Sequence, residues 1–152
     1  MTNKIDTKTI AKLREATGAP VLRAKKVLDE VKGDFKMAEK VLRKEGFEKL
    51  AKREGRETKA GIVETYIHAT KNSGATVVMG AETDFVSRNP DFVKLAHEVA
   101  MQGTATQTEN IQALLKQPYI KDPKKTVGEL IDESKVKFGE NILIKDIKYF
   151  EV

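Results

Sequence analysis

The sequence predicts an α+β protein in two folding units, a three-helix bundle followed by a small antiparallel sheet packed with helices. Three observations predict it. Between residues 6 and 46, apolar residues recur at helical spacing in three runs separated by short turns. After residue 60 the period changes, and Val63, Ile67 and Ala69 alternate with polar positions. Between the two regions lies a stretch dense in charge, from Glu48 to Lys59. The expected organisation is therefore 1–46 as the helical unit, 47–60 as a charged linker, helical or partly flexible, and 61–152 as the α+β core.

Each element has a local reason. Ile10, Leu13 and Ala16 form the stripe of the first helix, with Asp6 or Thr7 as its cap, and Thr17-Gly18-Ala19 breaks it. Pro20 suits the first position of the second helix, where its missing N–H costs nothing. Val21, Ala24, Leu28 and Val31 give that helix its stripe, and Gly33 ends it in a left-handed conformation. Asp34 caps a third helix with the stripe Met37-Ala38-Val41-Leu42, and Gly46 is expected to close it.

In the second unit, Lys71-Asn72-Ser73-Gly74 is a turn signal between a first strand and the strand Thr76-Val77-Val78-Met79, so the two make a hairpin. Asn89 and Pro90 start a helix whose buried face is Phe92, Leu95, Ala96 and Val99 and whose expected end is Gly103. Residues 104–125 read as loop with a short helix near Ile111–Leu115. Thr126-Val127-Gly128-Glu129 has capping-box spacing and opens a helix carrying Val127, Leu130, Ile131 and Ser134, which Gly139 stops. Ile142, Leu143 and Ile144 begin a last strand running to Val152.

Composition narrows the function. The chain has 152 residues, 39% hydrophobic and 34% charged, which suits a helix-rich globular protein with charged surfaces. It has no cysteine, which excludes disulfides and thiolate chemistry. The run Met1-Thr2-Asn3-Lys4-Ile5-Asp6 lacks the apolar core of a signal peptide, and no apolar stretch approaches the roughly 20 residues of a membrane span. The expectation is a cytoplasmic protein without a membrane. The net charge of +5 admits a nucleic-acid or acidic partner, but lysines interspersed with acids solubilise helix faces just as well, and no basic, aromatic-interleaved platform is present. Stable nucleic-acid binding is not expected.

No nucleophile motif, phosphate-cradling loop or paired metal ligands occur. His97 beside Glu98, and His68 in a strand, are the only histidines and read as structural or surface residues. The chain therefore reads as a binding protein, not an enzyme, with no cofactor and no metal of its own. Its most unusual stretch is Glu82-Thr83-Asp84-Phe85-Val86-Ser87-Arg88-Asn89, which sets large apolar residues beside charges in a turn. Phe85 either tucks into the local core or projects as an anchor for a partner pocket.

These residues resemble a known family. Thr83-Asp84-Phe85-Val86 followed by Arg88-Asn89 is similar to a signature of bacterial elongation factor Ts. Arg14-Glu15-Ala16-Thr17-Gly18-Ala19 with Lys25-Lys26-Val27-Leu28 resembles that family's first signature, and Gln117 to Asp122, Thr126-Val127 and Gly139 to Ile142 resemble its C-terminal part. The resemblance implies a ubiquitin-associated-like three-helix domain, a linker and a dimerisation-type core in a short form with a single core unit. It implies a nucleotide exchange factor for the GTPase elongation factor Tu, with GDP release leading to GTP binding. Phe85 would then enter an apolar pocket of the GTPase and Asp84 would disturb its magnesium and phosphate surroundings. Thr83 and Val86 would hold the finger in shape, and Arg14, Val21 and Leu22 would grip another face of the G domain. It also implies a homodimer. The chain departs from the family at Pro20-Val21-Leu22, where Gly-Met-Met is common, and at Gly80-Ala81, where Asn-Cys is common.

Overall fold

The computed structural model describes residues 5–152. The reading of Met1–Lys4 as free of a signal-peptide core lies outside the described residues. The chain divides into two compact units, residues 1–54 with 135–139, and residues 55–134 with 140–152.

The first unit holds α1 (Thr7–Thr17), α2 (Val21–Glu30) and α3 (Phe35–Arg53). Asp6 caps α1 by accepting from the Lys8 N–H, and Asp34 caps α3 by accepting from the Met37 N–H. Gly18 closes α1 at φ +68°, donating its N–H to the Arg14 carbonyl at 2.8 Å. The core is Ile10, Leu13, Ala24, Val27, Leu28, Ala38 and Leu42. Arg23 on α2 forks onto Glu45 on α3, with Nε 3.0 Å from Oε2. That hydrogen bond holds the Glu45 carboxyl below its ordinary range.

Four expectations change here. Ala16, Val21 and Met37 are exposed, and Thr17 and Val27 take core positions instead. Pro20 is the cap preceding α2, not its first residue. Gly46 does not end the third helix, which continues to Arg53 and absorbs half of the expected linker. Gly46 is buried, and a Cβ there would stand 3.2 Å from Val136 Cγ1, a residue of the same unit. Its missing side chain serves close packing, not chain termination.

The second unit contains β1 (Ala60–Ile67), β2 (Ser73–Ala81), α4 (Asp84–Ser87), α5 (Pro90–Thr106), α6 (Ile111–Lys116), β3 (Pro118–Tyr119), β4 (Asp122–Thr126), most of α7 (Val127–Phe138) and β5 (Ile142–Glu151). β1, β2 and β5 form an antiparallel sheet in that order. The β1–β2 turn ends two residues earlier than expected, with Ser73 and Gly74 already in β2 and Lys71 at φ +65°. β5 carries one unpaired residue, Lys145, between Ile144 opposite Met79 and Asp146 opposite Val78. The Lys145 ammonium donates to the Thr58 carbonyl at 2.6 Å.

Helix α5 packs on one face of this sheet. Phe92, Leu95, Ala96 and Val99 are buried as expected, with Ala75, Val77, Met79, Ala81, Ile144 and Ile147 from the sheet. The alternation expected in β1 is present, but Val63 and Ile67 occupy the opposite face and are exposed. Gly103 does not end α5, which runs three residues further to a left-handed Gln107. A Cβ on Gly103 would stand 2.4 Å from Ile147 Cδ1, so the glycine admits β5.

The stretch read as loop before Thr126 also contains the β3–β4 hairpin. Two buried side chains of α5 hold it. Gln102 donates to the Gln117 side chain and the Pro118 carbonyl, both at 3.1 Å, and accepts from the Ile120 N–H at 3.0 Å. Glu98 accepts from the Tyr119 hydroxyl and, at 2.6 Å, from the Lys121 ammonium. The Thr126–Glu129 capping box forms reciprocally, at 2.7 and 3.1 Å.

Candidate functional site

The segment Glu82–Val86 leaves the end of β2 and becomes one helical turn, α4. Thr83 is extended and caps that turn, its hydroxyl oxygen accepting from the Val86 N–H at 3.4 Å. Ser87 Oγ donates to the Asp84 carbonyl at 3.2 Å, and Asn89 then caps α5 through the Asp91 N–H at 2.9 Å. Two caps within seven residues fix the bend. Helical geometry turns neighbouring side chains about 100° apart, and the turn uses this to separate two apolar residues. Val86 is 5% exposed and anchors the turn, whereas Phe85 is 87% exposed. Of the two positions open to Phe85 in the sequence, the structure places it outside. Asp84 beside it is exposed too.

The base of the finger is laced to the start of β5. Glu140 accepts from both the Thr83 N–H at 3.0 Å and the Thr83 hydroxyl at 2.7 Å. Glu82 accepts from the Asn141 N–H at 2.7 Å, and Asn141 donates its side-chain amide to the Arg56 carbonyl at 2.8 Å. Glu140 lies in the Gly139 to Ile142 motif, which by itself assigns it no task. Its partner lies 57 residues away, and no local pattern pairs the two.

Arg14, Val21 and Leu22 belong to the first unit. Arg14 stands exposed in the last turn of α1, and Val21 and Leu22 in the first turn of α2, Leu22 at 81%. The left-handed Gly18 joins the two turns.

The open face of the β1–β2–β5 sheet carries Val63, Ile67, Leu143 and Phe150, all exposed, with Ile67 and Phe150 both opposite Gly74. His97 and Glu98 do not form a dyad. His97 meets the Tyr66 ring edge-on at 5.5 Å, while Glu98 is committed to Tyr119 and Lys121. His68 shares a hydrogen bond with Thr70 at 2.8 Å. Among the described residues no three metal-ligating side chains converge, and no helix is long and apolar enough to cross a membrane.

Residues 82–152 match the family model described as elongation factor TS. The chain is 39% identical over 148 residues to elongation factor Ts of Clostridium botulinum (strain ATCC 19397 / Type A), covering 97% of this chain and 48% of that protein. It is 33% identical to elongation factor Ts of Thermodesulfovibrio yellowstonii, covering 97% of this chain and 96% of that protein. The chain thus spans about half the length of the clostridial relatives it matches and nearly all of the Thermodesulfovibrio one.

Proposed function

The chain belongs to the elongation factor Ts family, and on that premise we propose that it is a guanine nucleotide exchange factor of translation, acting in the cytoplasm. It binds elongation factor Tu in its GDP form and promotes GDP release, so that GTP can bind. The observation that carries this reading is the projecting Phe85 on a capped turn whose next residue is buried. An aromatic side chain has only two χ angles to fix, so on a capped turn it loses little entropy on entering a partner pocket.

Phe85 enters an apolar pocket of the GTPase, and Asp84 disturbs the surroundings of its magnesium and phosphates. Mg²⁺ needs near-ideal octahedral oxygen ligands, so a small displacement weakens nucleotide binding. Thr83 and Val86 keep the finger in shape, and Arg14, Val21 and Leu22 grip a second face of the G domain. No covalent step is required. The factor fits one state of its partner better than another, and linkage makes the weakening of nucleotide and of factor reciprocal.

The ubiquitin-associated-like character of α1–α3 belongs to the same reading, as does a homodimer in which a second copy covers the open sheet face. Val63, Ile67, Leu143 and Phe150, exposed on that face, are the side chains a second copy would cover.

The test is release of labelled GDP from elongation factor Tu. Phe85→Ala is expected to slow stimulated release ~30-fold or more, the effect of removing a hot-spot aromatic. Its melting temperature should stay close to the parent's, since an exposed side chain contributes little to folding. Normal stimulation by the variant would refute the finger.

A further inference from the structure

We propose that Glu140 is a positioning residue for the Phe85 finger and acts on it through Thr83. This rests on the exchange reading above. Glu140 commits both carboxylate oxygens to one residue, taking the Thr83 N–H at 3.0 Å and the Thr83 hydroxyl at 2.7 Å. A hydroxyl has a single proton. Once Glu140 takes it, the oxygen's lone pairs are left to accept the Val86 N–H at 3.4 Å. The carboxylate thereby sets the rotamer in which Thr83 caps α4.

That cap matters because α4 has four residues, too few for helix formation to sustain itself. The turn depends on what is attached at its ends. At its C-terminal side, Asn89 and Pro90 lead directly into the packed α5. At its N-terminal side, the attachments are the end of β2 and the Glu140 clamp. A reciprocal bond strengthens the same junction, with Glu82 accepting from the Asn141 N–H at 2.7 Å. Side chain 140 therefore holds backbone 83, and side chain 82 holds backbone 141. Two segments distant in sequence are laced in both directions at the residues that lead into Phe85.

Neither Glu140 nor Thr83 belongs to the buried core. Their contribution is the direction in which Phe85 leaves the surface. A site whose supporting shell is loose loses preorganisation before it loses fold.

The experiment compares the full chain with Glu140→Ala, Glu140→Gln, Thr83→Val, Phe85→Ala and the Glu140→Ala/Thr83→Val pair, reading stimulated GDP release, amide hydrogen exchange and thermal melting. Glu140→Ala is expected to slow release ~10-fold, as loss of hydrogen bonds to a charged acceptor would. Exchange at the Thr83 and Val86 amides should quicken while amides of α5 and β2 stay protected. Glu140→Gln, which keeps one acceptor, should recover part of the rate. The double variant should be no slower than Thr83→Val alone, because the two residues act as one unit. Full activity in Glu140→Ala, additive losses in the pair, or a fall in core melting that accompanies the loss would each overturn the proposal. If Phe85→Ala is impaired while Glu140→Ala is normal, only the clamp is wrong. If Phe85→Ala is also normal, the finger falls with the clamp, and if the parent chain itself leaves GDP release unstimulated, the exchange reading falls.

Discussion

Replacing Tyr119, in β3, by Phe removes one hydroxyl and leaves the buried ring in place. Glu98, 7% exposed, accepts from that hydroxyl on one oxygen and from Lys121 on the other. Without the hydroxyl a desolvated carboxylate oxygen loses its donor. A buried hydrogen bond to a charged group is worth about 1.5–3 kcal/mol, and the variant should lose that much at about pH 7. The loss should depend on pH. Burial by itself would raise the Glu98 carboxyl, but the bonds from Lys121 and Tyr119 outweigh it and hold the group below its ordinary 4.5. A folded value below the unfolded one contributes stability above the unfolded value and loses it as pH falls through the folded value. In the variant the folded value moves back upward, so the stability difference should be largest near neutrality and shrink below about pH 4.5. Urea unfolding at about pH 7 and about pH 3.5, with unchanged slope and a shifted midpoint, measures both. A difference under about 0.5 kcal/mol at neutrality, or an equal difference at the two pH values, would refute the account of Glu98 as a held carboxylate.

Two further substitutions test how glycine is used. Gly103→Ala should gain about 1 kcal/mol of helix propensity but lose about 1–3 kcal/mol to overpacking against Ile147. In an Ile147→Val background, where the obstructing methyl is gone, the same change should become stabilising, and thermal melts of the four proteins would reveal the reversal. Gly18→Ala should cost about 1–2 kcal/mol, because a Cβ at φ +68° crowds the backbone. Native-state hydrogen exchange in α1 and α2 would report it.

What was legible in the sequence was local. Asp6, Asp34, Asn89 and the Thr126–Glu129 box sit where their caps were read, because capping needs only a side chain and an N–H two or three residues on. Gly46 and Gly103 were misread because a missing side chain can either end a helix or admit a neighbour, and the neighbours come from elsewhere in the chain. The β3–β4 hairpin has no alternation to betray it, and its backbone is satisfied by Gln102 and its side chains by Glu98. β1 alternates on both faces, so its pattern did not say which apolar phase α5 would cover. The candidate site divides in the same way. The Thr83–Val86 turn was legible as a bend with an ambiguous aromatic, and its outward direction depends on Glu140. Arg14, Val21 and Leu22 rest on family resemblance alone, and Val21, which helical spacing also puts in the α2 stripe, stands outside the core.

The unpaired Lys145 gives β5 an expansion joint. Without that residue, Ile142, Ile144, Ile147 and Tyr149 would still point toward α5, because the strand on either side already alternates in phase across the gap. A residue lost further on, at Lys148, would send Tyr149 to the open side and drive Phe150 beneath the helix. Length is therefore negotiable in this strand at the bulge, where the added residue is put to use tethering the chain that enters β1.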